Sequence, residues 1–254
     1  MRSIFIIARN TVSETLSRII LQLILIFALM FLLLGFFFTY MTPGEEDKML
    51  KDLGLTVITV FGLVLAIFMG VSLIQPEIER RTIYALLAKP VRRLEFVLGK
   101  YLGAVVVLAI SMIVMGVVLV GALYLKQHIW SPDLLVALVG VFFSLMIMTA
   151  LVMMVSTFAS SLLAIVSGFV FWAVGYGQAY MTQLAEHADN KVSSTLLQVM
   201  SAILPNLTYL DLRLPVVDGI PIPLRLLSKM GIYGLGYSIV VLAVAAILFN
   251  EREL

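Results

Sequence analysis

Apolar runs of about twenty residues, nearly free of charge, alternate along this chain with short charged stretches. Six can be drawn: Ile19–Tyr40, Leu53–Gln75, Lys100–Tyr124, Leu134–Val155, Ser161–Met181 and Met230–Phe249. At ~1.5 Å rise per residue, a helix of that length matches the ~30 Å hydrocarbon layer of a bilayer. The pattern predicts an all-α membrane protein with six transmembrane helices. Between the fourth and fifth runs stands only Ser156-Thr157-Phe158-Ala159-Ser160. One helix from Asp133 to Met181 would be far too long for a single crossing, so a tight turn is expected there.

Outside the runs, the period changes. In residues 3–18, Phe5, Ala8, Val12, Leu16 and Ile19 fall on one helical stripe, and Asn10, Ser13, Glu14, Ser17 and Arg18 on the other. That is the pattern of a helix over 1–18 lying in the headgroup plane, with a plain extension of the first span as the alternative. The segment 182–229 is the longest outside lipid. Val192–Leu204 carries Leu196, Leu197, Met200, Ile203 and Leu204 at helical spacing and ends at Pro205. Further on, Asp218-Gly219 between apolar neighbours reads as a tight hairpin turn, with Pro221 weakening any regular ladder.

Composition fits this picture. Of 254 residues, 62% are apolar and 13% charged, and the mean hydropathy is +1.10. Soluble domains carry about twice that share of charge. A net charge of +2 is too small and dispersed for a nucleic-acid partner, and with no cysteine there is no disulfide framework or thiolate site. The N-terminus lacks a cleavable signal pattern, so the first run is expected to stay in the membrane. Basic residues set the orientation. With the N-terminus inside, cytoplasmic segments hold Arg2, Arg9, Arg18, Arg80, Arg81, Lys89, Arg92, Arg93, Lys100 and Arg252, against seven basic residues outside, four of them in the 182–229 loop. Both termini are expected in the cytoplasm, in a multi-pass membrane protein.

Chemistry is sparse. No Asp, Glu, Lys, Arg or His falls inside the six runs away from their ends. A proton- or ion-coupled transporter needs such groups at depth. The remaining polarity is mild: Gln22, Thr56, Thr59, Ser72, Gln75, Ser111, Ser144, Thr149, Ser167, Tyr176, Gln178 and Tyr180. Most of the hydroxyls are expected to bond their own helix backbone. Gly99-Lys100 is no phosphate loop, since the upstream glycine is missing and Tyr101 follows. His128 and His187 have no partners at ligand spacing. No catalytic, metal or cofactor site is expected in this chain, and uphill movement would draw its energy from another subunit.

The loop Pro76–Lys100 holds a well-punctuated helix candidate. Pro76 suits a first turn, Glu77 and Glu79 complement the positive end of the helix dipole, and Lys89 the negative end. Pro90 disfavours continuation. The intervening residues would form a rod of about 21 Å. An ordinary inside loop obeying the positive-charge rule remains the alternative on composition.

The run Glu77-Ile78-Glu79-Arg80-Arg81-Thr82-Ile83-Tyr84-Ala85-Leu86-Leu87-Ala88-Lys89-Pro90, then Arg92-Arg93 and Phe96-Val97-Leu98-Gly99-Lys100-Tyr101-Leu102-Gly103, resembles ABC-2-type transporter permeases. More narrowly it resembles the branch grouped with multicopper-enzyme maturation. Ile7-Ala8-Arg9-Asn10-Thr11 through Glu14 is similar to that family's elbow helix, Leu204-Pro205-Asn206-Leu207 with Asp211 to its stretch before the last span, and Phe249–Leu254 to its charged tail. The resemblance implies an exporter-like permease that pairs with a second permease subunit and with cytosolic ATP-binding cassette subunits, which bind the ATP and Mg. The loop after the second span would be the coupling helix, with Glu77, Glu79, Arg80, Arg81 and Thr82 as contacts. Substrate would pass beside the second and fifth spans, making Thr56, Thr59, Ser72, Gln75, Tyr176 and Gln178 pathway candidates. The rival readings are a mechanotransmitter acting on an envelope partner at the 182–229 loop, and a membrane scaffold or channel without an ATPase.

Overall fold

The computed structural model describes residues 2–16, 26–27, 30, 46–75, 93–127, 133–187 and 191–251. Most of the first predicted span and all of Glu77, Glu79, Arg80, Arg81 and Thr82 lie outside the described residues. Among the described residues every regular element is a helix: α1 Arg2–Leu16, α2 Glu46–Ser72, α3 Arg93–Gln127, α4 Asp133–Ser156, α5 Ser161–Tyr176, α6 Gln178–Glu186, α7 Lys191–Ile203, a 3-10 turn Thr208–Leu210, α8 Arg213–Val217 and α9 Leu224–Glu251.

Four of these, α2, α3, α4 and α9, are long and apolar enough to cross a membrane. Their outward faces match that solvent: Ile113 and Val117 of α3 and Ile232 of α9 are each at least 65% exposed. In lipid such side chains cost nothing outside, so burial follows packing rather than hydrophobicity. The chain is a multi-pass membrane protein. At 35 residues and about 52 Å, α3 overshoots the hydrocarbon layer by about 20 Å. It starts at Arg93, inside the segment read as loop, because nothing between Arg93 and Lys100 breaks a helix.

The fifth predicted span, Ser161–Met181, is not one helix. α5 ends at Tyr176, and α6 restarts at Gln178 after Gly177. Sixteen residues give about 24 Å, short of a full crossing. The turn expected after α4 is present over Thr157–Ser160.

α4 is the hub. It is apolar all round, seventeen of its 24 residues are buried, and it touches α2, α3, α5 and α9. Small residues set these approaches: Gly62 and Gly70 of α2 lie against Leu145 and Val152, and Gly168 of α5 against Ile67 and Val152. Phe27 of the first predicted span is fully buried edge-on to Phe61 of α2, with ring centroids 6.0 Å apart.

α1 lies along the start of α3. A Cβ at Gly99 would sit 2.9 Å from Ile7 Cβ, and one at Gly103 2.6 Å from Thr11 Cβ. The Gly99-x-x-x-Gly103 spacing is thus the seat of α1. The buried face of α1 is rotated from the predicted stripe: Thr11 is buried, whereas Phe5 is 72% exposed. Phe249 stacks on Phe96 at 6.4 Å, so the end of α9 meets the start of α3 at the end of the bundle where α1 is seated.

The hairpin expected at Asp218-Gly219 is instead a helix stop. Gly219 takes φ 71, its N–H donates to Val216 O (3.2 Å), and the Ile220 N–H donates to Pro215 O (2.8 Å). These are the two bonds of a Schellman motif closing α8. The same Asp-Gly pair serves either structure, and Pro215, Pro221 and Pro223 leave no ladder for a strand.

Candidate functional site

The pathway residues expected from sequence separate into two groups at opposite ends of the bundle. At the α3-start end, Gln75 is buried just beyond α2. Its side-chain amide donates to Ser156 O (2.8 Å) and to Ala159 O, which fastens α2 to the α4–α5 turn. The Ser156 hydroxyl reaches back to Gly70 O (3.0 Å). These bonds satisfy carbonyls that the end of α4 would otherwise leave open. Ser72 is exposed one turn away. Thr59 stands between the two groups, buried, donating to Leu55 O at 2.7 Å. Ser111, Ser144, Thr149 and Ser167 likewise bond their own helices at i−3 or i−4.

At the other end, Thr56 of α2 and Tyr176 of α5 are brought together by a residue the sequence did not single out. Arg213 Nη1 donates to Thr56 Oγ1 (3.1 Å), and the guanidinium lies 5.9 Å from the Tyr176 ring centroid. Arg213 is held by Asp211 through Nε–Oδ1 (2.9 Å), Nε–Oδ2 (3.1 Å) and Nη2–Oδ2 (2.6 Å). The Asp211 carboxylate raises the Arg213 pKa above its ordinary value, so this cation stays charged. Trp172 lies one turn before Tyr176, with ring centroids 5.4 Å apart. Gln178 belongs to the same region, donating to Leu204 O at 3.1 Å.

The end of α7 and the segment after it are stitched to α9, α5, α4 and α2 in turn. Tyr237 of α9 donates to Ile203 O (2.7 Å), and Asn206 N–H donates to the Tyr233 hydroxyl of α9 (2.8 Å). Leu207 fills the notch at Gly175 of α5, and its N–H donates to Gly175 O at 3.1 Å. The Leu210 carbonyl lies directly on Gly140 of α4. Finally Arg213 and an exposed Lys48–Asp218 pair at 3.8 Å tie the segment to α2. The result is a cap over that end of the bundle, joining α2 to α5 across Thr56 and Tyr176. There the two helices are joined by charge and hydrogen bonds, and at the far end Gln75 fastens α2 to the turn that precedes α5.

A separate cavity of about 680 Å³ opens between α3 and α4, lined by apolar residues such as Met112, Val117 and Phe142, with Tyr124 at one end. None of the pathway candidates lines it.

Sequence gave no hint of Arg213 as a bridge, because an Asp-x-Arg pair in a loop is common and its long-range partners depend on the fold. Compared with known families, the chain matches the model described as ABC-2 family transporter protein over residues 16–254. No curated protein matches it.

Proposed function

This chain belongs to the ABC-2 family of transporter proteins, and from that premise we propose that it is the permease subunit of an ATP-binding cassette exporter. A separate cytosolic subunit binds ATP and Mg and hydrolyses the nucleotide, and a second permease subunit completes the membrane part. Six spans cross the bilayer, with α1 as an elbow helix at the cytoplasmic surface and α6 continuing α5. Both termini and the loop 76–92 face the inner-membrane cytoplasm, and the cap faces outward. The motif from Glu77 to Pro90 is also the ground for placing the chain near the multicopper-maturation branch.

The observation that carries the coupling role is how both helices bordering 76–92 enter the bundle. α2 is locked to the α4–α5 turn by Gln75, and α3 leaves at Arg93 as one unbroken helix held by α1 at Gly99 and Gly103. A displacement of the loop by the ATPase would pass into both without slack. Glu77, Glu79, Arg80, Arg81 and Thr82 are the proposed contacts. Glu79→Arg with Arg80→Glu should abolish co-purification of the ATPase while membrane insertion persists. Normal co-purification with full stimulation of ATP turnover by the reversed protein would sink the assignment.

The stitched cap supports a second reading, in which the same stroke works on an envelope partner and nothing crosses. Cross-linking that captures such a partner at 182–229, with no ATP-dependent flux in vesicles, would favour it.

A further inference from the structure

α9 carries two cations on one stripe. Arg225 and Lys229 are exposed at spacing i, i+4, and among the described residues neither has an acidic partner. Like charges at that spacing destabilise a helix unless an anion lies between them. Below them on the same stripe come Ile232 (74% exposed), Gly236, Val240 (64%) and Ile247 (60%). A Cβ at Gly236 would meet nothing within 4 Å, so the stripe has an open notch about two turns beneath Lys229.

Beside Lys229 the cap borders an open, shallow pocket of about 530 Å³ lined by Asn206, Tyr209, Lys229, Ile232 and Tyr233. The rings of Tyr209 and Tyr233 stand 6.0 Å apart. Tyr233 accepts from the Asn206 N–H at 2.8 Å, and its own proton has no acceptor among the described residues. The pocket thus offers a cation and a phenolic donor, with an isoleucine leading down to bare helix.

We propose that this pocket binds the headgroup of an anionic phospholipid, with the phosphate at Lys229, Arg225 and Tyr233 and an acyl chain along Ile232, Gly236 and Val240. Cations above an apolar furrow match an amphiphile, and aromatic residues with a lysine at headgroup depth suit that boundary. A second copy of the chain is a poor occupant, since a two-fold contact through this stripe would set its cations against each other.

The test uses the purified full-length chain in neutral detergent, titrated with phosphatidylglycerol or phosphatidylcholine of identical chains and read by native mass spectrometry. Phosphatidylglycerol should bind in preference. Each of Arg225→Gln and Lys229→Gln should weaken it roughly five-fold, and the double variant should bind both lipids alike. Lys51→Gln, at the same end but off the stripe, should keep the preference, and unchanged phosphatidylcholine binding shows that the variants are folded. Equal binding of both lipids by the unaltered chain, or a preference that survives in the double variant, would overturn the proposal. So would inorganic phosphate competing as well as phosphatidylglycerol, which would mark a soluble-anion site instead.

Discussion

Replacing Asp211 with Asn should open the capped end, and its cost can be worked from the geometry. The substitution removes the charge from three guanidinium contacts at 2.6–3.1 Å, and the two side chains are 25% and 17% exposed. Fully exposed pairs contribute about 0–1 kcal/mol, while breaking a buried pair costs about 3–5 kcal/mol. At this partial burial the loss is about 2 kcal/mol, most of it from Arg213 left beside Tyr176 without a counter-charge. Arg213→Met strands Asp211 instead, at a similar cost. The double variant leaves no unpaired charge and should cost less than the sum, with a coupling of about 1–2 kcal/mol.

Thermal unfolding in detergent, followed by tryptophan fluorescence in a Trp130→Phe background so that Trp172 beside Tyr176 reports alone, should show Asp211→Asn lower by about 4–8 °C. Because the folded pKa of Arg213 is raised, its stabilisation is present below the ordinary value and lost only as pH rises past the higher folded one. The Arg213 contribution should therefore be the same at pH about 6 and about 9. The chain has no cysteine, so Thr56→Cys gives a clean label site. An impermeant thiol reagent should modify it faster in the Asp211→Asn background. Strict additivity of the two single substitutions, with unchanged labelling, would refute the latch.

Three further outcomes follow from other contacts. Gly103→Val forces α1 away from α3 and should cost about 1–3 kcal/mol by overpacking, read as a lower unfolding midpoint and earlier proteolysis of α1. Gln75→Leu keeps the volume but strands two carbonyls at the α4–α5 turn; a loss of about 1–3 kcal/mol is expected, and ATPase stimulation in the assembled transporter should fall with it. Gly219→Ala places a Cβ in the left-handed region and should cost about 1–2 kcal/mol, with Gly219→Asn costing less; equal midpoints for Ala and Gly would remove the Schellman assignment.

The membrane character and most helices were legible because length and apolarity alone decide them. α4 needed no partner to be recognised, being apolar on every face. The cap was not legible. Its holding bonds join Leu204 to Gln178, Asn206 to Tyr233 and Arg213 to Thr56, pairs separated by 26, 27 and 157 residues. No periodicity spans such distances. Asp218-Gly219 failed for a different reason: a left-handed glycine satisfies a hairpin and a helix stop equally, and only the bond from Ile220 to Pro215 chooses. The Gly99 and Gly103 pair could be seen in the sequence but not its partner, since small-residue spacing names a close approach without naming what approaches.

How the helices are held also says which of them can move. α2 and α4 share a long seam in which Gly62 and Gly70 admit Leu145 and Val152, and sliding them would force backbone past side chains. α5 is different. Of its sixteen residues only Ala164, Gly168 and Gly175 are buried, a narrow stripe of small side chains. It is bounded by the short turn at Thr157–Ser160 and by the break at Gly177. Its larger core-facing side chains, Ile165, Phe171, Trp172 and Tyr176, are only partly buried, so its position rests also on fastenings at its ends: Gln75 at one, and Leu207 with the Arg213 bridge at the other. Under the proposed coupling, a stroke entering through α2 would reach both. If the protein alternates access, α5 is the element that swings. Cysteines replacing Ile67 and Gly168 should then cross-link in the resting protein and lose that cross-link under ATP turnover, whereas a pair at Gly70 and Val152 should cross-link in both states.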